Sequence, residues 1–125
     1  WVDTDEGNEY PVSWMEWVEA DTLGEKIKKY CDRNDKKGLK RLAENFREFA
    51  LWILEQPFAH GDLKHDNLLV KEDCSIVMVD YDGMFVPKFE GKTTSELGGK
   101  SYQHPKRNST TFDRHLDDFS ILVIY

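Results

Sequence analysis

Apolar positions along the chain change their period several times, and each change predicts an element. Tyr10 to Val18, YPVSWMEWV, is rich in aromatic and β-branched residues and reads as a strand. Thr22-Leu23-Gly24-Glu25 follows. A threonine three residues ahead of a glutamate is a capping box, in which both side chains satisfy free N–H groups at a helix start. Leu23, Ile27, Tyr30 and Cys31 then share one face of a short helix. Asp35 to Gly38, DKKG, reads as a polar loop. Leu39, Leu42, Phe46, Phe49 and Ile53 recur at intervals of three and four, a narrow core-facing stripe on a charged helix that Pro57 ends. Leu68 to Val70 and Ile76 to Val79 are short apolar runs joined by Lys71-Glu72-Asp73, which predicts a β-hairpin. Residues 84 to 115 carry Pro87, Gly91, Gly98, Gly99 and Pro105 with little periodicity. Ordered loops this long are usually functional. The chain closes on LDDFSILVIY, where Asp117 stands to cap a buried helix. The sum is an α+β chain, mainly helical, with a small hairpin and no internal repeat.

Composition narrows the class. The chain has 125 residues, 39% apolar and 33% charged, which suits one globular domain. Its formal net charge of −7 disfavours non-specific binding to nucleic acid, while leaving room for a small polyanion held through metal ions. Cys31 and Cys74 are the only cysteines and form no CxxC pair, so two reduced thiols in a cytoplasmic protein are expected rather than a structural zinc site. No segment approaches the roughly 20 apolar residues of a membrane span, and WVDTDEGNEY has no signal-peptide character. Neither end reads as a domain boundary: the first residue is Trp1, and the chain stops at Tyr125 in its most apolar run. A fragment of a longer chain is expected.

The chemistry concentrates in two polar stretches, HGDLKHDN at 60–67 and DYDG at 80–83. A loop that curls on itself can bring Asp62, Lys64 and Asn67 together, and the hairpin returns Asp80 thirteen residues after Asn67. Asn67 and Asp80 offer two oxygen ligands, a donor set that Mg²⁺ accepts when water and phosphate complete its shell. Lys64 can face a transferring phosphoryl group, and Asp62 can take the proton of an attacking hydroxyl. These are the parts phosphoryl transfer needs.

His60-Gly61-Asp62-Leu63-Lys64-His65-Asp66-Asn67 resembles the catalytic loop of eukaryotic-like (Ser/Thr) protein kinases, His-Arg-Asp-Leu-Lys-x-x-Asn. The resemblance implies the fold of a kinase-like C-terminal lobe, with Asp62 as catalytic base, Lys64 on the transferred phosphate, Asn67 and Asp80 on Mg²⁺, and ATP as substrate. Trp14-Met15-Glu16-Trp17-Val18 is similar to the family's hinge, with Met15 as gatekeeper, Glu16 and Val18 offering backbone bonds to adenine, and Leu69 as the floor of that pocket. Tyr102-Gln103-His104-Pro105 looks like the end of an activation segment. Asp117 looks like the aspartate that opens the central helix and grips the catalytic loop. On this resemblance residues 1–20 are the last strand and hinge of an N-terminal lobe and 21–125 a partial C-terminal lobe. The missing lobe becomes a required partner beside ATP and a protein substrate, and the isolated chain is expected to be inactive and prone to self-association through an open apolar cleft.

Departures qualify the resemblance. Gly61 replaces the arginine that pairs with an activation-loop phosphate in many kinases, which weakens the case for phosphorylation of Thr93, Thr94 or Ser95 as the switch. Lys106 replaces the glutamate of Ala-Pro-Glu, and Gly83 comes one residue late after Asp80-Tyr81-Asp82. His60-Gly61-Asp62 is also similar to the loop of aminoglycoside and choline kinases, so a small-molecule phosphotransferase is an alternative; a non-catalytic pseudokinase or scaffold is another. His60 is expected to pack inside its loop, His65 and Asp66 to face solvent, and His104 and His115 to bind no metal.

Overall fold

The structure, a computed structural model, describes residues 15–125 and, ahead of them, the backbone of residues 2–3 and 9–10. Strands β1 (Val2–Asp3) and β2 (Glu9–Tyr10) pair antiparallel with each other. Of the strand expected over Tyr10 to Val18, Tyr10 ends β2, residues 11–14 lie outside the described residues, and residues 15–18 are irregular. Aromatic content alone does not make a strand; the backbone of 15–18 has no strand partner among the described residues, and Trp17 is 89% exposed.

From residue 21 onward the local chemistry is legible. Strand β3 (Asp21–Thr22) leads into helix α1 (Leu23–Asp32). The Glu25 N–H donates to Thr22 Oγ1 at 3.2 Å and the Thr22 N–H to Glu25 Oε2 at 2.9 Å, completing the capping box. Leu23 is buried and Tyr30 half-buried, but Ile27 and Cys31 of the expected apolar face are exposed. Helix α2 (Lys36–Leu54) begins earlier than the pattern suggested. DKKG is no loop: Asp35 is the N-cap, its Oδ1 accepting the Gly38 N–H at 2.9 Å, and Lys36 to Gly38 form the first turn. The α2 stripe buries Leu42, Phe46 and Ile53, and the helix ends at Leu54, short of Pro57.

The hairpin forms as strands β4 (Leu68–Val70) and β5 (Ile76–Met78), with β4 central in the antiparallel order β3-β4-β5. Leu69 pairs with Thr22 on one side and Val77 on the other. Leu68 and Val70 turn into the core shared with Leu23, Phe46, Leu63 and Ile121, while Leu69 stands half-buried on the opposite side of the pleat. Residues 84–115 are irregular apart from short 3-10 turns at Pro87–Phe89 and Lys100–Tyr102. Helix α3 (Asp118–Ile124) buries Ser120 and Ile121 but exposes Leu122 and Val123, so the expected buried helix is covered on one face only. Among the described residues no helix is long and apolar enough to cross a membrane, and both cysteines are free.

A single two-residue bridge positions the site. Ala59 and Phe85 exchange backbone bonds of 3.1 and 2.9 Å above a small cluster with Leu116 and Phe112. Ala59 immediately precedes the 60–67 loop and Phe85 closely follows DYDG, so the bridge sets the two acidic loops side by side.

Candidate active site

The 60–67 loop is held from beneath by one carboxylate. Asp117, 3% exposed, accepts the His60 N–H at 2.6 Å and the Gly61 N–H at 2.9 Å. It stands at the N-cap position of α3 but makes no capping bond, because both of its oxygens are turned to the loop. Burial pushes its carboxyl above the ordinary value, and the two N–H groups and the Arg107 charge oppose that push. This is the contact the kinase resemblance assigns to Asp117. His60, 0% exposed, belongs to the same scaffold: its Nδ1 accepts the Asp62 N–H at 3.3 Å, so Nε2 donates to Val79 O at 2.8 Å.

Above this base Asp62, Lys64 and Asn67 converge. Lys64 Nζ lies 2.7 Å from Asp62 Oδ2. Asn67 Nδ2 donates to Asp62 O at 2.9 Å and to Asp62 Oδ2 at 3.2 Å. The Gly99 N–H, 37 residues away in sequence, reaches Asp62 Oδ1 at 2.7 Å. Burial alone would raise the Asp62 carboxyl, but the Lys64 ammonium and the Gly99 N–H outweigh it and hold the group below the ordinary carboxylate range. The same hydrogen bond to Asp62 raises Lys64, with the negative charges of Asp80 and Asp66 adding to it. Lys64 is therefore half-buried in an ion pair rather than a free surface lysine.

Asp80 is exposed, in a left-handed backbone conformation with φ 68°, and reaches the cluster through its field on Lys64 rather than by a hydrogen bond. Among the described residues no three His, Cys, Asp or Glu side chains converge on a metal-sized site. The donor set for Mg²⁺ here is an amide and a carboxylate, and the residues fit it. Both Asn67 amide bonds use nitrogen, which leaves its Oδ1 without a donor among the described residues, on a residue only 5% exposed. Hard oxygen donors of this kind suit a cation that keeps water and phosphate in its shell. Of the residues expected to hold adenine, Leu69 is half-buried in the central strand. Met15 is 69% exposed, Glu16 is exposed and Val18 half-buried in the irregular 15–20 segment, and no bond among the described residues links them to Leu69.

Gly61 has a structural reason to be glycine. Its φ is 81°, and a Cβ there would lie 2.1 Å from Gly83 O, so the DYDG turn occupies the space an arginine would need. His65 departs from the expected solvent exposure: it is half-buried, its ring lies against Gly24, and its Nδ1 bonds the Tyr102 hydroxyl. Sequence reasoning also missed Gly99, Gln103 and Arg107. Arg107 Nη1 donates to Gly61 O at 2.6 Å and to Gln103 Oε1, and Gln103 Nε2 donates to Gly61 O at 3.3 Å. The Gly98-Gly99 pair was a usable signal, since adjacent glycines in a polar loop mark a close backbone approach. A Cβ at Gly98 would lie 2.8 Å from Asp62 Oδ1. Arg107 carries no comparable local signal. No protein-family model matches the chain, and no curated protein matches it.

Proposed function

We propose that the chain carries the catalytic loop of a protein kinase-like phosphotransferase, which moves the γ-phosphate of Mg·ATP to a Ser/Thr hydroxyl in the cytoplasm. The observation that carries this reading is the Asp62 carboxylate: kept ionised by Lys64, fixed by the Gly99 N–H, and left with a lone pair for an incoming hydroxyl. The hydroxyl oxygen forms a bond to the γ-phosphorus as the bond to the β-phosphate oxygen of ADP breaks, and the hydroxyl proton passes to Asp62. Lys64, two residues on, keeps positive charge beside the reacting groups. Mg²⁺, held by Asn67 and Asp80, would neutralise charge on the phosphates. Met15, Glu16, Val18 and Leu69 would take the adenine on this reading.

The docking of residues 96–107 on the catalytic loop supports a protein substrate, since that segment supplies the Gly99 contact to the base. The left-handed Gly61 favours the small-molecule alternative, whose loops read His-Gly-Asp. A scaffold has no physical need for an ionised, oriented Asp62.

The test follows labelled γ-phosphate from Mg·ATP in the protein at its natural full length, offered protein, aminoglycoside and choline acceptors, with Asp62→Asn and Asp80→Ala alongside. Transfer to protein that each substitution lowers by about 10²-fold or more is the expected result. Transfer to the small acceptors alone selects the alternative. No transfer, with Mg·ATP unbound, overturns both enzyme readings.

A further inference from the structure

We infer that Arg107 is a positioning residue for Asp62, and that it sets the 96–107 segment in its working place without an added phosphate. One guanidinium joins three points. Nη1 reaches Gly61 O in the catalytic loop at 2.6 Å and also Gln103 Oε1, while Nη2 reaches Glu96 O at 3.2 Å. Between those anchors lies Gly99, whose N–H meets Asp62 Oδ1 at 2.7 Å. The bonds at Glu96 and Gly61 thus determine where the Gly99 N–H arrives. A planar fork holds acceptors at two separate nitrogens in fixed directions; the three donors of an ammonium sit on one nitrogen and cannot span them in that geometry.

Burial adds weight to the assignment. Desolvation pulls Arg107 below the ordinary arginine value, against the opposing fields of Asp117, Asp62 and Asp113, and its Nε has no hydrogen-bond partner among the described residues. An arginine used only for solubility would not be kept in so costly a place. The usual alternative for ordering such a segment is a phosphate paired with a cation on the catalytic loop. Position 61 has no side chain and no room for one. The Thr94 hydroxyl is already engaged, accepting the Glu96 N–H at 3.0 Å and donating to Glu96 O. The segment's own arginine does the ordering from the opposite side.

The inference rests on the phosphotransferase reading only for its kinetic part, so the test has two independent arms. In full-length protein treated with phosphatase, amide exchange at Gly99 is compared in wild type, Arg107→Ala, Arg107→Lys and Phe112→Leu. Arg107→Lys is decisive because it keeps the charge and removes the fork. The expected result is a loss of Gly99 protection of about tenfold or more in Arg107→Lys. Phe112→Leu lowers stability without that loss of protection. Turnover should fall by about tenfold to 10²-fold in Arg107→Lys with KM little altered, and phosphatase treatment should leave wild type unchanged. If Arg107→Lys keeps Gly99 protection, or if phosphatase treatment alone releases Gly99, the inference is overturned. Should no form transfer phosphate, the phosphotransferase reading fails while the exchange data still decide the role of Arg107. Should Arg107→Ala not fold, Arg107→Lys decides alone.

Discussion

Replacing Gly61 with alanine tests whether the two acidic loops are held as close as the structure has them. The substitution meets two costs. The left-handed backbone, φ 81°, disfavours any residue with a Cβ by about 1 kcal/mol. The new methyl would also stand 2.1 Å from Gly83 O, far inside van der Waals contact, and backbone on both sides must move to relieve it. Overpacking of that kind costs about 1–3 kcal/mol, so the expected total is about 2–4 kcal/mol. Gly91 supplies the control: its φ is 74°, but nothing lies within 4 Å of the place its methyl would take, so Gly91→Ala meets the backbone cost alone. Urea unfolding of both variants and wild type, read as midpoint shifts at unchanged slope, isolates the steric part. A domain with about 5–15 kcal/mol of stability shows such a difference clearly. If the two variants lose the same amount, within about 0.5 kcal/mol, the close packing of Gly61 on Gly83 is refuted, and with it the explanation for the missing arginine.

Asp117→Ala leaves the buried His60 and Gly61 N–H groups without their acceptor and should cost about 3 kcal/mol or more, with faster amide exchange at both; wild-type exchange there would refute the anchoring role. Asp62 sits below its ordinary value when folded, so its contribution to stability is complete above the unfolded carboxylate pKa of about 4 and is lost as pH falls through the folded value. Asp62→Asn should therefore be less stable than wild type near neutral pH, with the gap closing on acidification; a gap that widens in acid contradicts the ion pair. Asp117 has the opposite sign, its burial penalty growing as pH rises from about 4 through its raised folded value. Thr22→Ala removes the side-chain acceptor of the α1 capping box and should cost about 1 kcal/mol in thermal or urea unfolding, whereas a loss under about 0.3 kcal/mol would mean the box contributes little.

What the sequence determined by itself is local. The Thr22–Glu25 capping box, the α2 stripe through Leu42, Phe46 and Ile53, and the hairpin at 68–70 and 76–78 were legible because each depends on residues a few positions apart. The convergence of Asp62, Lys64 and Asn67 was legible for the same reason, as five residues separate the outermost pair. Misreadings arose where context overrode composition: Tyr10 to Val18 has aromatic content but no neighbouring strand at 15–18, and DKKG has loop composition but an aspartate placed to cap the next helix. The tertiary structure alone decided the rest of the site. Gly99 meets Asp62 across 37 residues, and Arg107 meets Gly61 across 46. These bonds use backbone N–H and C=O groups that every residue but proline carries in full, so the residue types give no hint of the pairing. Only the packing of the Ala59–Phe85 bridge and the buried face of α3 brings those groups within reach.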